Sequence, residues 1–134
     1  MISLATYLAP QPICFIVIKP GFLSLSKTII NRFEEDGWMI YKTRTKQLLL
    51  QEAHRLYAVH KKEDFYDDLC KYMASGPSMG ILFVKKSGDI KASLKEVRGI
   101  KDEIRDKYAE SDMRNVMHSS DSYSNLTKES KVYF

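Results

Sequence analysis

A chain of 134 residues that is 44% apolar and 28% charged, with only 6 Gly and 4 Pro, has the size and composition of one compact domain, which excludes a disordered or collagen-like polymer. Its 21 Lys and Arg against 17 Asp and Glu give a net charge of +4 and a pI near 9.0, a mild lean toward anionic partners such as nucleotides, nucleic acid or phosphate metabolites. The longest uncharged stretch, Met1 to Ile18, is interrupted by Pro10 and Pro12 and has no basic residue before Lys19, so it suits neither a signal peptide nor a membrane span, and a cytoplasmic protein is expected.

In chain order, Cys14-Phe-Ile-Val-Ile18 is a continuous apolar run stopped by Lys19-Pro20-Gly21, the pattern of a strand buried on both faces and ended by a turn. Leu25, Ile29, Ile30 and Phe33 recur at helical spacing, with Ser26 as the expected N-cap and Gly37 as the stop. Trp38 to about Thr45 reads as a second strand. Two helices follow, Leu48 to about His60 and Asp64 to Ala74, closed by Ser75-Gly76-Pro77, and Met79 to Val84 is a third strand. Ile90, Leu94 and Val97 mark another amphipathic helix, Asn115 to His118 a short fourth strand, and a last helix begins near Asp121.

Between Lys85 and Lys107, 8 basic and 5 acidic residues are interleaved, as on a solvated helical face. Cys14 and Cys70 lie in apolar or aromatic surroundings with no Cys or His at metal-ligand spacing, and read as free buried thiols. No repeat, low-complexity tract or linker divides the chain. The order of elements is a strand-helix-strand-strand-helix-strand skeleton, that of a ferredoxin-like α+β sandwich: a four-stranded antiparallel sheet with helices packed on one face. That skeleton by itself does not define an activity.

One candidate nucleophile stands out, His118 in Arg114-Asn-Val-Met-His-Ser-Ser-Asp-Ser122. A lone histidine at a strand end is more often structural than catalytic. Here it stands in register with Lys19-Pro20, with Tyr57-Ala-Val-His60-Lys61, and with Phe65-Tyr-Asp-Asp-Leu69-Cys-Lys-Tyr-Met-Ala-Ser-Gly-Pro77. Ile104-Arg105, Asn115 and Glu129 complete the set. In order and spacing these residues resemble the nucleoside diphosphate kinase family, from about Cys14 to Phe134, so residues 1–134 read as a single kinase-like domain with residues 1–13 as an N-terminal extension.

The resemblance implies transfer of the γ-phosphate of a nucleoside triphosphate to a nucleoside diphosphate through a phosphohistidine on His118. It implies that Glu129 holds the other ring nitrogen and that Lys19 reaches the transferred phosphate and the ribose. Arg105 would contact the terminal phosphates, and Tyr57 would donate its hydroxyl nearby. Asn115 would bind the sugar, Phe65 would stack on the base, and Leu69 would belong to the same nucleotide site. Mg²⁺ would arrive on the nucleotide phosphates, since no carboxylate cage is visible in the sequence. An imidazole with an ordinary pKa near ~6.5 supplies a neutral nitrogen at cytosolic pH without a separate base.

Four positions depart from the family pattern. Gly21 stands where an Asp usually follows Lys-Pro. Lys95 stands in the place of a β-phosphate arginine, four residues before Gly99, with Arg98 as its neighbouring alternative. The long loop before the arginine, with its phosphate-binding threonine, is reduced to Ile100-Lys-Asp-Glu-Ile104. Asp112 replaces an apolar residue beside the base. These changes suggest, as the competing reading, a weak or inactive nucleotide-binding relative with a regulatory or partner-binding role. A nucleic-acid binder ranks low, since no strand alternates aromatic and basic residues. Because the missing loop helps build the family's hexamers, a homo-dimer is expected, joined through about Ser26 to Thr45, where Ile29, Ile30, Phe33, Trp38 and Ile40 exceed the needs of one small core.

Overall fold

The computed structural model describes residues 11–134; most of the expected extension, residues 1–10, lies outside the described residues, and the first strand already takes in Ile13. Four strands, β1 (Ile13–Ile18), β2 (Met39–Lys46), β3 (Ser78–Val84) and β4 (Met117–Ser119), form one sheet in the order β2-β3-β1-β4. Every neighbouring pair is antiparallel. Five α-helices connect and flank them: α1 (Ser26–Glu35), α2 (Leu50–Leu56), α3 (Tyr66–Met73), α4 (Ile90–Tyr108) and α5 (Tyr123–Ser130). This is the ferredoxin-like α+β arrangement.

The apolar run of β1 puts it inside the sheet. Successive side chains point to opposite faces, so Cys14, Ile16 and Ile18 join one core and Phe15 and Val17 another. The first core takes Ile29 and Phe33 from α1 and Val97, Ile100 and Ile104 from α4. The second takes Ala53 and Leu56 from α2, Leu69, Cys70 and Met73 from α3, and Leu126 from α5. Helices therefore cover both faces, not the single face expected, because a strand that is apolar at every position has two faces to bury. Cys14 and Cys70 are free and buried, as read from the sequence.

Several boundaries shift for local reasons. Ser26 does not cap α1: a 3₁₀ turn at Leu23–Leu25 feeds directly into the helix, and Ser26 becomes its first residue. The expected helix from Leu48 to His60 is shorter, ending at Leu56 and followed by a 3₁₀ turn at Ala58–His60. The fourth strand begins only at Met117, because Val116 before it is held at φ 81°. Gly80 in β3 lies under the Tyr133 ring, where a Cβ would come within 2.6 Å of Tyr133 Cγ.

The helix marked by Ile90, Leu94 and Val97 becomes α4, which runs unbroken for 19 residues through Gly99. Asp89 caps its start by accepting the Ala92 N–H at 2.9 Å. Val97, Ile100 and Ile104 recur at helical spacing and bury against the sheet, which outweighs the ~1 kcal/mol that one glycine costs inside a helix. A Cβ built at Gly99 meets nothing within 4 Å. Gly99→Ala is accordingly expected to raise stability by about 0.5–1 kcal/mol in urea denaturation. An unchanged or lower stability would mean that the helix breaks there.

Candidate active site

Two turns set the site. Phe22 N–H donates to the Lys19 carbonyl at 3.1 Å, with Pro20 and Gly21 at the centre of the turn and Gly21 at φ 90°. Proline followed by a residue of positive φ is the requirement of a type II turn, so Gly21 suits the bend that ends β1. A Cβ there would also come within 2.8 Å of Arg114 Nη2. The Arg114 guanidinium lies over the Phe22 and Tyr72 rings. At the second turn, Met117 N–H donates to the Asn115 carbonyl at 3.0 Å around Val116, a γ-turn that a β-branched residue enters only under strain. The Val116 carbonyl is taken by the Lys19 N–H at 2.8 Å. The end of β1 and the start of β4 are thereby locked together, and Lys19, Asn115 and His118 are brought to one place.

That place is a cavity of about 570 Å³. His118, Lys19, Tyr57, Arg105 and Asn115 line it, together with Phe65 and Leu69. His118 projects from β4 on the same face as Val17, its partner across the sheet. Its Nε2 pairs with Glu129 Oε1 of α5, and the same oxygen accepts the Ser120 hydroxyl at 3.0 Å. Glu129 is buried behind the imidazole and outside the cavity lining. With Nε2 on the carboxylate, the Nδ1 lone pair is left free. Burial pushes the His118 pKa below its usual 6.5 against the opposing pull of Glu129, so the ring is neutral at neutral pH.

Three cations share the cavity: Lys19, Arg105 and Lys101. Lys19 Nζ donates to Asn115 Oδ1 at 2.7 Å and to the Met113 carbonyl at 3.3 Å. Burial, with Arg105 and Lys101 adding like-charge repulsion, lowers its pKa to about 7. Arg105 Nη2 donates to the Met117 carbonyl at 2.7 Å, which fixes the guanidinium against β4. The Tyr57 ring stands edge-on to the imidazole, 5.0 Å between centroids. Among the described residues its hydroxyl has no hydrogen-bond partner, and neither do Arg105 Nε and Ser119 Oγ. Burial holds the Tyr57 pKa well above its usual value, so the hydroxyl keeps its proton to donate. At the mouth, the half-exposed Phe65 ring lies 5.6 Å from that of His60.

Lys95 and its neighbouring alternative Arg98 are both exposed on α4 and do not line the cavity. Lys101 does, and sequence reasoning passed over it. Its signal was the four-residue spacing to Arg105, which on a continuous helix puts both on one face. Asp121 also lines the cavity, beside Asp112.

A neutral imidazole with a free nitrogen, backed by a carboxylate and facing clustered cations on a ferredoxin-like sheet, describes a phosphotransferase. The family model "Nucleoside diphosphate kinase" matches residues 13–134. A nucleoside diphosphate kinase from Nitratiruptor sp. is 35% identical over 127 residues, covering 88% of this chain and 91% of that protein. One from Helicobacter pylori is 31% identical, covering 88% and 91%. A crystal structure of the Encephalitozoon cuniculi nucleoside diphosphate kinase matches with a TM-score of 0.80 at 26% identity, covering 92% of this chain and 88% of that one. The Aquifex aeolicus nucleoside diphosphate kinase shares the fold with a TM-score of 0.81 at 24% identity, covering 93% and 96%. The chain belongs to the nucleoside diphosphate kinase family.

The depressed Lys19 pKa has a measurable consequence. Lys19 titrates near 10.5 when unfolded and at about 7 in the fold. Between those values the unfolded chain binds more protons, so this group makes stability rise with pH; the cost of burying its charge is full below about pH 7 and gone above 10.5. Lys19→Met should therefore exceed the parent in stability near neutrality, and the gap should close as pH rises toward 10. Urea denaturation across that range checks it, and a constant gap would contradict it.

Proposed function

We infer that this protein moves a phosphoryl group between nucleotides in two half-reactions at one histidine. Nδ1 of His118 attacks the γ-phosphorus of a nucleoside triphosphate, the bond from phosphorus to the bridging oxygen breaks, and the diphosphate leaves with that electron pair. A terminal phosphate oxygen of a second nucleoside diphosphate then attacks the phosphohistidine, the N–P bond breaks, and the imidazole is released. The observation that carries this reading is the His118–Glu129 pair, which leaves Nδ1 unprotonated toward a cavity holding Lys19 and Arg105.

Lys19, drawn toward neutrality in the empty site, regains its proton beside the anionic phosphoryl group and offsets its charge. Arg105, held by the Met117 carbonyl, meets the terminal phosphates, and the unpartnered Tyr57 hydroxyl donates near them. Asn115 turns its amide between Lys19 and the sugar. Phe65 stacks on the base, with Leu69 lining the same slot. No described group of three or more His, Cys, Asp or Glu could hold a metal ion, so Mg²⁺ fits as part of the substrate. On the phosphates it would withdraw charge from their oxygens. The two free thiols fit a reducing compartment.

We also infer that two copies pair. Ile29, Phe33 and Trp38, expected at the interface, are spent in the first core instead, because α1 packs inward on the sheet. The exposed apolar surface is on β2, an edge strand carrying Met39, Ile40 and Tyr41 at 45%, 40% and 64% exposure. Light scattering should give a dimer, and Ile40→Asp a monomer; a hexamer, or a dimer indifferent to that change, would count against this surface.

His118→Ala should abolish acid-labile labelling by γ-labelled ATP while nucleotide binding persists, and retained labelling would overturn the reading. Glu129→Gln should slow transfer by about 10–100-fold, since it disturbs the tautomer and orientation without removing the nucleophile. In the parent, the midpoint of the acid limb of labelling should lie below the 6.5 of an ordinary imidazole. The same change to Gln removes a charge that favours imidazolium and should move that acid limb lower still.

A further inference from the structure

Lys101 differs from the other two cations of the site. Lys19 is tethered to Asn115 and Met113, and Arg105 to Met117, whereas Lys101 makes no ion pair or hydrogen bond with any described residue. It is nonetheless half-buried, and burial followed by the nearby Arg105 charge pushes its pKa down. An ammonium group held partly out of water, without a partner and beside a guanidinium, costs free energy that only an arriving anion offsets. Its position is rigid, since α4 passes uninterrupted through Gly99 and sets Lys101 one turn before Arg105, both lining the His118 cavity. Three basic side chains thus face two carboxylates in the cavity, Asp112 and Asp121, and Glu129 is taken up by His118 and Ser120.

We propose that Lys101 is a catalytic residue of this chain: its three N–H donors take hold of the phosphate that stays on the nucleotide, alongside Arg105, while Lys19 serves the phosphoryl group that moves. The division follows from placement. Lys19 leaves β1 next to His118 across the sheet, and acts on the imidazole more strongly than Lys101 does. Lys101 sits on α4 one turn before Arg105, the cation held against β4 by the Met117 carbonyl. The proposal rests on the kinase reading of the site and adds to it a phosphate contact made by an i,i+4 pair on one helix.

The test compares binding of AMP, ADP and ATP to the parent, Lys101→Ala and Lys101→Arg by calorimetry, with Lys91→Ala, exposed on the first turn of α4, as control. Loss of one charged contact predicts ADP and ATP binding weakened by about 10–100-fold in Lys101→Ala, little change for AMP, and most of the affinity kept in Lys101→Arg. In turnover, KM for the diphosphate should rise by more than kcat falls. The melting temperature of Lys101→Ala without nucleotide should equal or exceed the parent's, since an unpaired buried charge is removed. Equal ADP affinity in the parent and Lys101→Ala would overturn the proposal, as would an equal loss for AMP and ADP. A parent that binds no ADP at all would overturn the kinase reading, and this proposal with it.

Discussion

The site depends on a buried valine held where valine does not rest. Val116 at φ 81° carries a strain of order 1–3 kcal/mol. It is kept there by complete burial, by the Met117-to-Asn115 hydrogen bond across it, and by the Lys19 N–H on its own carbonyl. The reward is geometric. An extended chain at this point would carry Asn115 to His118 along one line and turn alternate side chains away from one another. The sharp bend instead folds Asn115 back onto Lys19 while His118, two residues past Val116, still stands in the sheet opposite Val17. Arg105 closes the arrangement by donating to Met117, so α4 is tied to the same bend.

The electrostatics follow from this packing. Bringing Lys19, Lys101 and Arg105 into one cavity takes their charges partly out of water, and this burial lowers the pKa of all three, with like-charge repulsion adding to the fall at Lys19 and Lys101. An empty site in this condition is destabilised, which is the state from which a polyanionic ligand gains most. Burial, with Lys19 and Lys101 adding to it, lowers the His118 pKa and keeps its free nitrogen unprotonated, whereas Glu129 pulls the other way. The carboxylate therefore acts chiefly on direction and tautomer, and burial with the surrounding cations sets the charge state.

Much of this was legible in the sequence. The unbroken apolar run of β1 announced a central strand, and the resemblance to the kinase family brought together Lys19, Tyr57, Phe65, Arg105, Asn115 and His118, which share the cavity. What was not legible depended on three-dimensional competition. Val97, Ile100 and Ile104 gain more by burial than Gly99 loses, so the helix passes the glycine without a turn. Once α4 is continuous its phase is fixed, and Lys95, six residues before Lys101, is rotated about 240° from it around the axis. The position that the resemblance marks, four residues before Gly99, therefore lies on a different face of α4 from the cavity-lining Lys101. Trp38 and Phe33 seemed surplus for a related reason: a sheet covered on one face needs one core, and this sheet has two.

The imidazole of His118 is held, through Glu129, from the far edge of the sheet by a chain of contacts that no single motif reveals. The Tyr133 ring lies against Gly80 of β3, where any side chain would collide with it, and its hydroxyl meets Ser78 Oγ at 2.5 Å. Arg44 and Lys46 of β2 donate to the carbonyls of Tyr133 and Val132, each at 3.3 Å. These contacts fasten the segment after α5 across β3 and β2. With its start capped by Ser122 and its end fastened in this way, α5 has little freedom to move relative to the sheet. Glu129, in its last turn, therefore meets His118 at a position set by the sheet on both sides: β4 carries the imidazole, and β3 with β2 anchors the carboxylate's helix. Orientation of the reactive ring is thus a property of the whole sheet, and a substitution at Gly80, in the body of β3 and outside the cavity lining, would reach it through Tyr133 and α5.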